Sequence, residues 1–214
     1  MSVETQPQST LTICLGKLAS GHKGILSLTI NAKGKAGHSG YPWLALSANS
    51  LLIEALSTIL KLEPSLPHSE KYGSTTVNVG KISGGVAANV IAETASASIA
   101  IRLAAGEPID TKKAILNALQ PIIEKASDGD GKLEVVWGNE GYGPIDIDHD
   151  IKGFDVLTFS YGTDVPHLQG THRRYLYGPG TILVAHSDHE NIEISDLEAA
   201  VDGYEKIILA VLEK

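Results

Sequence analysis

Cysteine is almost absent: Cys14 is the one cysteine in 214 residues. It cannot form an internal disulfide, which fits a reducing compartment and equally an exported protein that does without disulfides. No apolar run approaches the roughly 18 residues a membrane-spanning helix needs. The opening Met1-Ser2-Val3-Glu4-Thr5-Gln6-Pro7-Gln8 has neither the cations nor the apolar stretch of an export signal. Location is left open by these features. Positive charge is also short, with 17 Lys and Arg against 25 Asp and Glu and a formal charge of −8. Such a chain has no basic face to neutralise phosphates, so neither nucleic acid nor an anionic membrane is expected as a partner. Aromatic residues make up only 5%, so the core must be aliphatic. There is no glycine-rich phosphate loop, no Gly-x-Ser-x-Gly elbow and no Cys-x-x-Cys pair, which removes three common routes to chemistry.

What the chain does carry is clear periodicity. Leu26, Leu28, Ile30 and Ala32 alternate with Ser27, Thr29 and Asn31, the pattern of a half-buried strand, and Gly34, Gly37 and Gly40 end it. Leu44, Ala48, Leu51, Ala55, Ile59 and Leu62 then recur at helical spacing between Pro42 and Pro64. A strand pair is predicted over 75–82 and 94–103, with Gly84-Gly85 as the turn. Asp110 is placed to cap a second helix through Ala126, kinked at Pro121, and Leu133, Val135 and Trp137 alternate as a further strand. The order β-α-β-β-α-β over residues 25–137 predicts an α/β (α+β) fold of the split, ferredoxin-like kind: four antiparallel strands under two helices.

Outside that block the pattern changes. Residues 1–21 read as a tail or connector. After Gly138, residues 155–161 and 181–185 are predicted as short strands. A last helix is predicted to start at a Ser195/Glu198 capping box and to bury Leu197, Val201, Tyr204, Ile208, Val211 and Leu212. Two strands and one helix cannot close a core, so residues 138–214 read as an incomplete domain.

Eight histidines offer metal ligation, acid–base catalysis or hydrogen-bond donation. His38 sits in the glycine-bounded turn Gly37-His38-Ser39-Gly40, where its ring can project or can bond a nearby backbone group. His186 follows the apolar 181–185 run and precedes Ser187, Asp188, His189 and Glu190, a placement open to a metal site or to a solvated loop. Asp146, Asp148 and Asp150 form an acidic cluster that could hold a hard cation such as calcium, though a solvated loop explains it as well. Arg102, on the polar face of its strand, could clamp a carboxylate or pair with a cross-strand acid.

Five segments together are more specific than any one alone. Gly37-His38-Ser39-Gly40-Tyr41-Pro42 is followed by the run Asn78-Val79-Gly80 through Gly84-Gly85-Val86-Ala87-Ala88-Asn89-Val90-Ile91, then by the strand ending at Arg102, then by Tyr161-Gly162-Thr163-Asp164. Tyr177-Gly178-Pro179-Gly180 with His186-Ser187-Asp188-His189-Glu190 completes the set. In order and spacing these resemble the C-terminal part of the two-zinc amidohydrolases and exopeptidases, the family of aminoacylase, acetylornithine deacetylase, succinyl-diaminopimelate desuccinylase and carboxypeptidase G. Within the family, the chain resembles fungal members described as peptidase-like.

The resemblance implies that residues 22–137 are the family's lid, or dimerisation, domain and that 138–214 are the end of its catalytic domain. It matches His38 to the histidine that reaches a neighbouring subunit's site and steadies the oxyanion. Asn89 and Arg102 match lid positions that contact substrate, Arg102 through a carboxylate. Gly162, Thr163 and Asp164 match a pocket-lining loop, and His186 matches the final zinc ligand. It further implies zinc, two ions per complete site, small N-acyl amino acid or peptide substrates, and a homodimer through the lid. Ala92 stands where the family often has proline, and the family's adjacent Glu-Glu pair and His-x-Asp ligands, which precede its lid, have no counterpart ahead of residue 22. The expectation is therefore a chain inactive alone, part of a hydrolase whose N-terminal half lies elsewhere. The alternative is a non-catalytic dimerisation or regulatory module derived from that family.

Overall fold

Alternation of small aliphatic and polar residues builds the sheet that dominates this protein. The computed structural model describes residues 16–138 and 140–213; Cys14, with the rest of residues 1–15, lies outside the described part. The described chain divides into two units, residues 22–145 with 160–163, and residues 16–21, 146–159 and 164–213.

In the first unit the elements are β1 (Gly24–Lys33), α1 (Ala48–Leu62), β2 (Thr76–Gly84), β3 (Thr94–Leu103), α2 (Pro108–Asp128) and β4 (Lys132–Trp137). The strand order is β2-β3-β1-β4 and every neighbouring pair is antiparallel, the ferredoxin-like arrangement. Leu26, Leu28 and Ile30 of β1 and Ala97, Ile99 and Ile101 of β3 point to one face. There they meet Leu51, Leu52, Ala55 and Ile59 of α1 and Ile115, Leu119 and Ile122 of α2. Each of the larger aliphatics contributes about 1.5–3 kcal/mol by leaving water. The opposite face presents Ser27, Thr29, Asn31, Ser96 and Ser98, as expected of an antiparallel sheet with one solvated side.

Several local expectations need correction. α1 begins at Ala48, not near Leu44, because Pro42–Leu44 close a separate 3-10 turn; the Ser47 hydroxyl then accepts from the Ser50 amide at 3.2 Å. α2 begins at Pro108, whose missing N–H costs nothing in a first turn, so Asp110 lies inside that turn rather than capping it. Pro121 stands inside α2, as the sequence places it, on the solvent side of one continuous helix. Gly84-Gly85 is not a tight hairpin turn either. Gly85 takes φ +75°, and the chain then runs through Val90–Ile91, which pair with Gly37–His38, before β3 starts.

The second unit holds residues 17–21 of the strand Lys17–His22, which pairs with Ile145–Asp146 on one side and Asp155–Phe159 on the other, with Leu18 and Ala19 fully buried; His22 and Ile145 count with the first unit. The tail expected over 1–21 is thus a strand from Lys17 onward. Its Ser-Gly-His end carries no strand pattern of its own, and its neighbours impose the conformation. The 181–185 segment is not a strand: among the described residues it has no sheet partner, and Ile182–Val184 form a 3-10 turn in which the Thr181 hydroxyl accepts from Leu183 N at 3.2 Å. The C-terminal helix, Ile194–Leu212, starts at Glu193 with no side-chain cap, so Ser195 makes no capping box. It buries Ala200, Gly203 and Ile207, whereas Leu197, Val201, Tyr204, Ile208, Val211 and Leu212 are exposed. Among the described residues only a small cluster around Leu18, Ile151 and Ile207 forms there, too little to cover that apolar stripe. No helix of the described residues is long and apolar enough to cross a membrane.

Candidate functional site

Two clusters within the first unit gather most of the residues singled out by sequence. Near the start of β1, Arg102 of β3 stands on the solvated face opposite Ile25 and Thr76. Tyr142 is held beside β1 by a pair of backbone bonds with Ile25, of 3.0 and 3.1 Å. The 160–163 segment returns to the same place. A Cβ on Gly162 would stand 2.5 Å from the Tyr142 hydroxyl and 3.6 Å from Nη1 of Arg102, so the loop passes the guanidinium at a distance that glycine permits.

His22, which sequence reasoning missed, sits at the centre of this cluster with 0% of its surface exposed. Its Nδ1 lies 2.8 Å from the Lys23 carbonyl oxygen and its Nε2 lies 3.0 Å from Oγ1 of Thr163. The ring packs edge-on against Tyr142, with centroids 6.1 Å apart. Burial pushes the His22 pKa below its ordinary value; the Lys23 carbonyl opposes this, and the positive charge of Arg102 adds to it. Lys23 is buried as well and donates to the Ser74 carbonyl at 2.7 Å, and burial lowers its pKa. Nothing in a lone Ser-Gly-His-Lys-Gly stretch signals this, because the partners lie far away in sequence.

The second cluster lies past the other end of β1. His38 pairs with Val90 across a two-residue ladder, and Ser39 N donates to the Asn89 carbonyl at 3.1 Å, so His38 and Asn89 are neighbours. The Gly40 amide donates to Nδ1 of His38 at 3.0 Å. In the neutral ring this leaves the proton on Nε2, pointing a donor away from its own turn. The ring is exposed and stacks edge-on with Tyr41, which in turn meets Trp43; Tyr41 and Trp43 are 55% and 72% exposed.

Asp164 and His186 belong to the second unit. Asp164 is exposed and opens the 3-10 turn Val165–His167 through its carbonyl, which accepts from His167 N at 2.9 Å. His186 is exposed in a turn at φ +60°, and its amide donates to the Glu190 carboxylate at 3.0 Å. It does not close a buried strand as sequence suggested. The acidic cluster is committed elsewhere: Asp150 pairs with Arg173 and accepts from the Tyr175 hydroxyl at 2.7 Å, and Asp148 accepts from the Arg174 amide at 2.8 Å. The Tyr175 hydroxyl and Asp150 raise the pKa of Arg173. Among the described residues no three His, Cys, Asp or Glu side chains converge to hold a metal ion. The described residues therefore do not make a zinc centre by themselves.

Comparison with known proteins agrees with the fold. Residues 20–130 match the sequence profile of a peptidase dimerisation domain. A "probable carboxypeptidase" of Aspergillus flavus is 47% identical over 232 residues, covering 100% of this chain and 53% of its own length. Another from Arthroderma otae is 46% identical over 220 residues, covering 93% and 48%. The chain thus spans about half the length of the curated relatives it matches. Among solved structures, a tripeptidase from Staphylococcus aureus superposes with a TM-score of 0.69 at 20% identity, over 94% of this chain and 55% of its own. The aminopeptidase PepT of Bacillus cereus does so with 0.59 at 16%, over 92% and 53%.

Proposed function

The chain belongs to the peptidase dimerisation-domain family, and from that membership we propose that it is the lid and C-terminal part of a zinc-dependent amidohydrolase or exopeptidase acting on N-acyl amino acids or small peptides. The carboxypeptidase names of the fungal relatives, at 46% and 47% identity, support this class. On this reading Arg102 binds the free carboxylate of the substrate, and Gly162, Thr163 and Asp164 line its pocket. Asn89 contacts substrate next to His38, and His38 donates from Nε2 to the oxyanion. His186 is the single position matched to a metal ligand, with the remaining ligands and the carboxylate base on polypeptide beyond this sequence. The roles this reading gives to the chain's own residues are to bind, to orient and to donate.

One observation carries the proposal that two copies share a site. Arg102 lies opposite Ile25, and Lys33 is eight residues further along β1, roughly 26 Å of extended strand; His38 follows beyond that end. An amino-acid-sized substrate held by Arg102 would not reach His38 of the same chain, whereas the His38 of a second copy could meet it in a homodimer.

A non-catalytic dimerisation or regulatory module is the second reading, supported by the match of residues 20–130 to a peptidase dimerisation domain. Two measurements separate them. Elemental analysis of the dialysed chain should find well under one zinc ion per chain, and close to two would overturn the incomplete-site reading. Mixing the chain with the N-terminal half of the Aspergillus flavus relative should restore zinc binding and hydrolysis of N-acetyl amino acids or dipeptides. A folded, dimeric mixture that binds zinc and hydrolyses none of them would favour the module.

A further inference from the structure

His22 has no part in the reading above, yet it is fully buried and both its ring nitrogens have partners. A carbonyl can only accept, so the 2.8 Å contact to Lys23 places the ring proton on Nδ1. Nε2 of the neutral ring is then an acceptor, and the Thr163 hydroxyl donates to it at 3.0 Å. Burial and the nearby Arg102 both keep that ring neutral. The bond joins residues 141 positions apart and fastens the 160–163 segment where Gly162 passes Arg102 and Tyr142.

We propose that His22 is the positioning residue of this site: by accepting the Thr163 hydroxyl it holds the 160–163 segment against Arg102, and so sets where a carboxylate can meet the guanidinium. The ligand half of this inference rests on the reading of Arg102 as a carboxylate binder; the loop-holding half does not. A packing role alone would be served by any side chain that fills the cavity. A positioning role requires the hydroxyl–imidazole bond itself.

The test uses the 214-residue chain and three variants, Thr163→Ser, Thr163→Val and His22→Gln. Amide hydrogen exchange at residues 162 and 163 reads the loop, and the Arg102 guanidinium Nε resonance titrated with N-acetyl-L-alanine reads the ligand. Thr163→Ser, which keeps the hydroxyl, should keep the slow exchange of the wild type. Thr163→Val, which keeps the volume and loses the donor, should speed exchange at both amides by about fivefold and weaken N-acetyl-L-alanine by a similar factor, with Tm little changed. His22→Gln should do the same where it folds, and the threonine pair decides the matter if it does not. Unchanged exchange in Thr163→Val, or equal affinity for the probe, overturns the proposal. If exchange responds but the wild type shows no Arg102 shift with the probe, the carboxylate reading of Arg102 fails while the His22 anchor stands.

Discussion

Arg102 and His38 stand off opposite ends of one antiparallel sheet. Arg102 is in register with Ile25 near the start of β1, and His38 follows Lys33, the last residue of that strand, whose own partner is Thr94. The two groups are therefore set apart by the length of a strand, and the rigidity of a paired four-stranded sheet keeps them so. Each has its own supporting cluster: His22, Tyr142 and the 160–163 segment around Arg102, and Asn89, Gly40 and Tyr41 around His38.

From this separation comes a complementation experiment in the assembled enzyme. If His38 donates to the oxyanion as proposed, His38→Ala should lower kcat by about 10²–10³-fold with little change in KM. Arg102→Ala should act mainly on KM. Refolding the two variants together should recover roughly one quarter of wild-type activity, because half of random pairs are mixed and each mixed pair has one intact site of two. Activity no higher than the sum of the parents would place both groups in one chain's site.

The core of the first unit predicts its own weak point. Leu119 of α2 is fully buried among the sheet residues, so Leu119→Ala should cost about 2–5 kcal/mol from lost transfer and cavity formation. Urea unfolding followed by circular dichroism would read this as a lower midpoint with an unchanged slope. A cost under 1 kcal/mol would show that the helix is not seated on the sheet as described.

Pro121 offers a stabilising change. It lies inside α2 on its solvent side, where its ring can neither donate nor let the preceding turn close without strain. Pro121→Ala should restore a backbone bond and raise stability by about 1–2 kcal/mol, after allowing for the greater freedom alanine gives the unfolded chain. A lowered Tm would mean that the helix uses a bend at this point.

Much of this architecture is legible in the sequence, for a physical reason. Where a strand is half-buried its side chains alternate, as in Leu26 to Ala32, and where a helix covers a sheet its apolar residues recur at three and four, as in Leu51 to Ile59. The misread segments lack such local control. Lys17–His22 becomes a strand because it is flanked on both sides, and the apolar 181–185 run, without a strand to pair with among the described residues, curls into a 3-10 turn. The site divides in the same way. His38 and Arg102 can be picked out as candidates by a glycine-bounded turn and by a cation on a polar face. His22 looks like any loop histidine until the fold brings Thr163 to its ring from 141 residues away.

His22 also predicts a pH dependence of stability. In the unfolded chain a histidine gains its proton as pH falls through about 6.5, whereas in the folded protein burial, with a further contribution from Arg102, holds the His22 pKa below that value. Between the two values the unfolded state binds more protons, so stability must fall as pH drops below about 6.5 and level off once the folded ring is itself protonated. Above about 6.5 this contribution is fully present. The chain has seven other histidines, eight in all, so the informative quantity is the difference between wild type and His22→Gln. Thermal unfolding from pH 8 to pH 5 should show the wild type losing stability more steeply, by some fraction of the ~1.4 kcal/mol per pH unit that one unmatched proton gives. Parallel curves would mean that the folded ring takes up its proton as readily as the unfolded one, contrary to a buried imidazole whose Nε2 accepts the Thr163 hydroxyl.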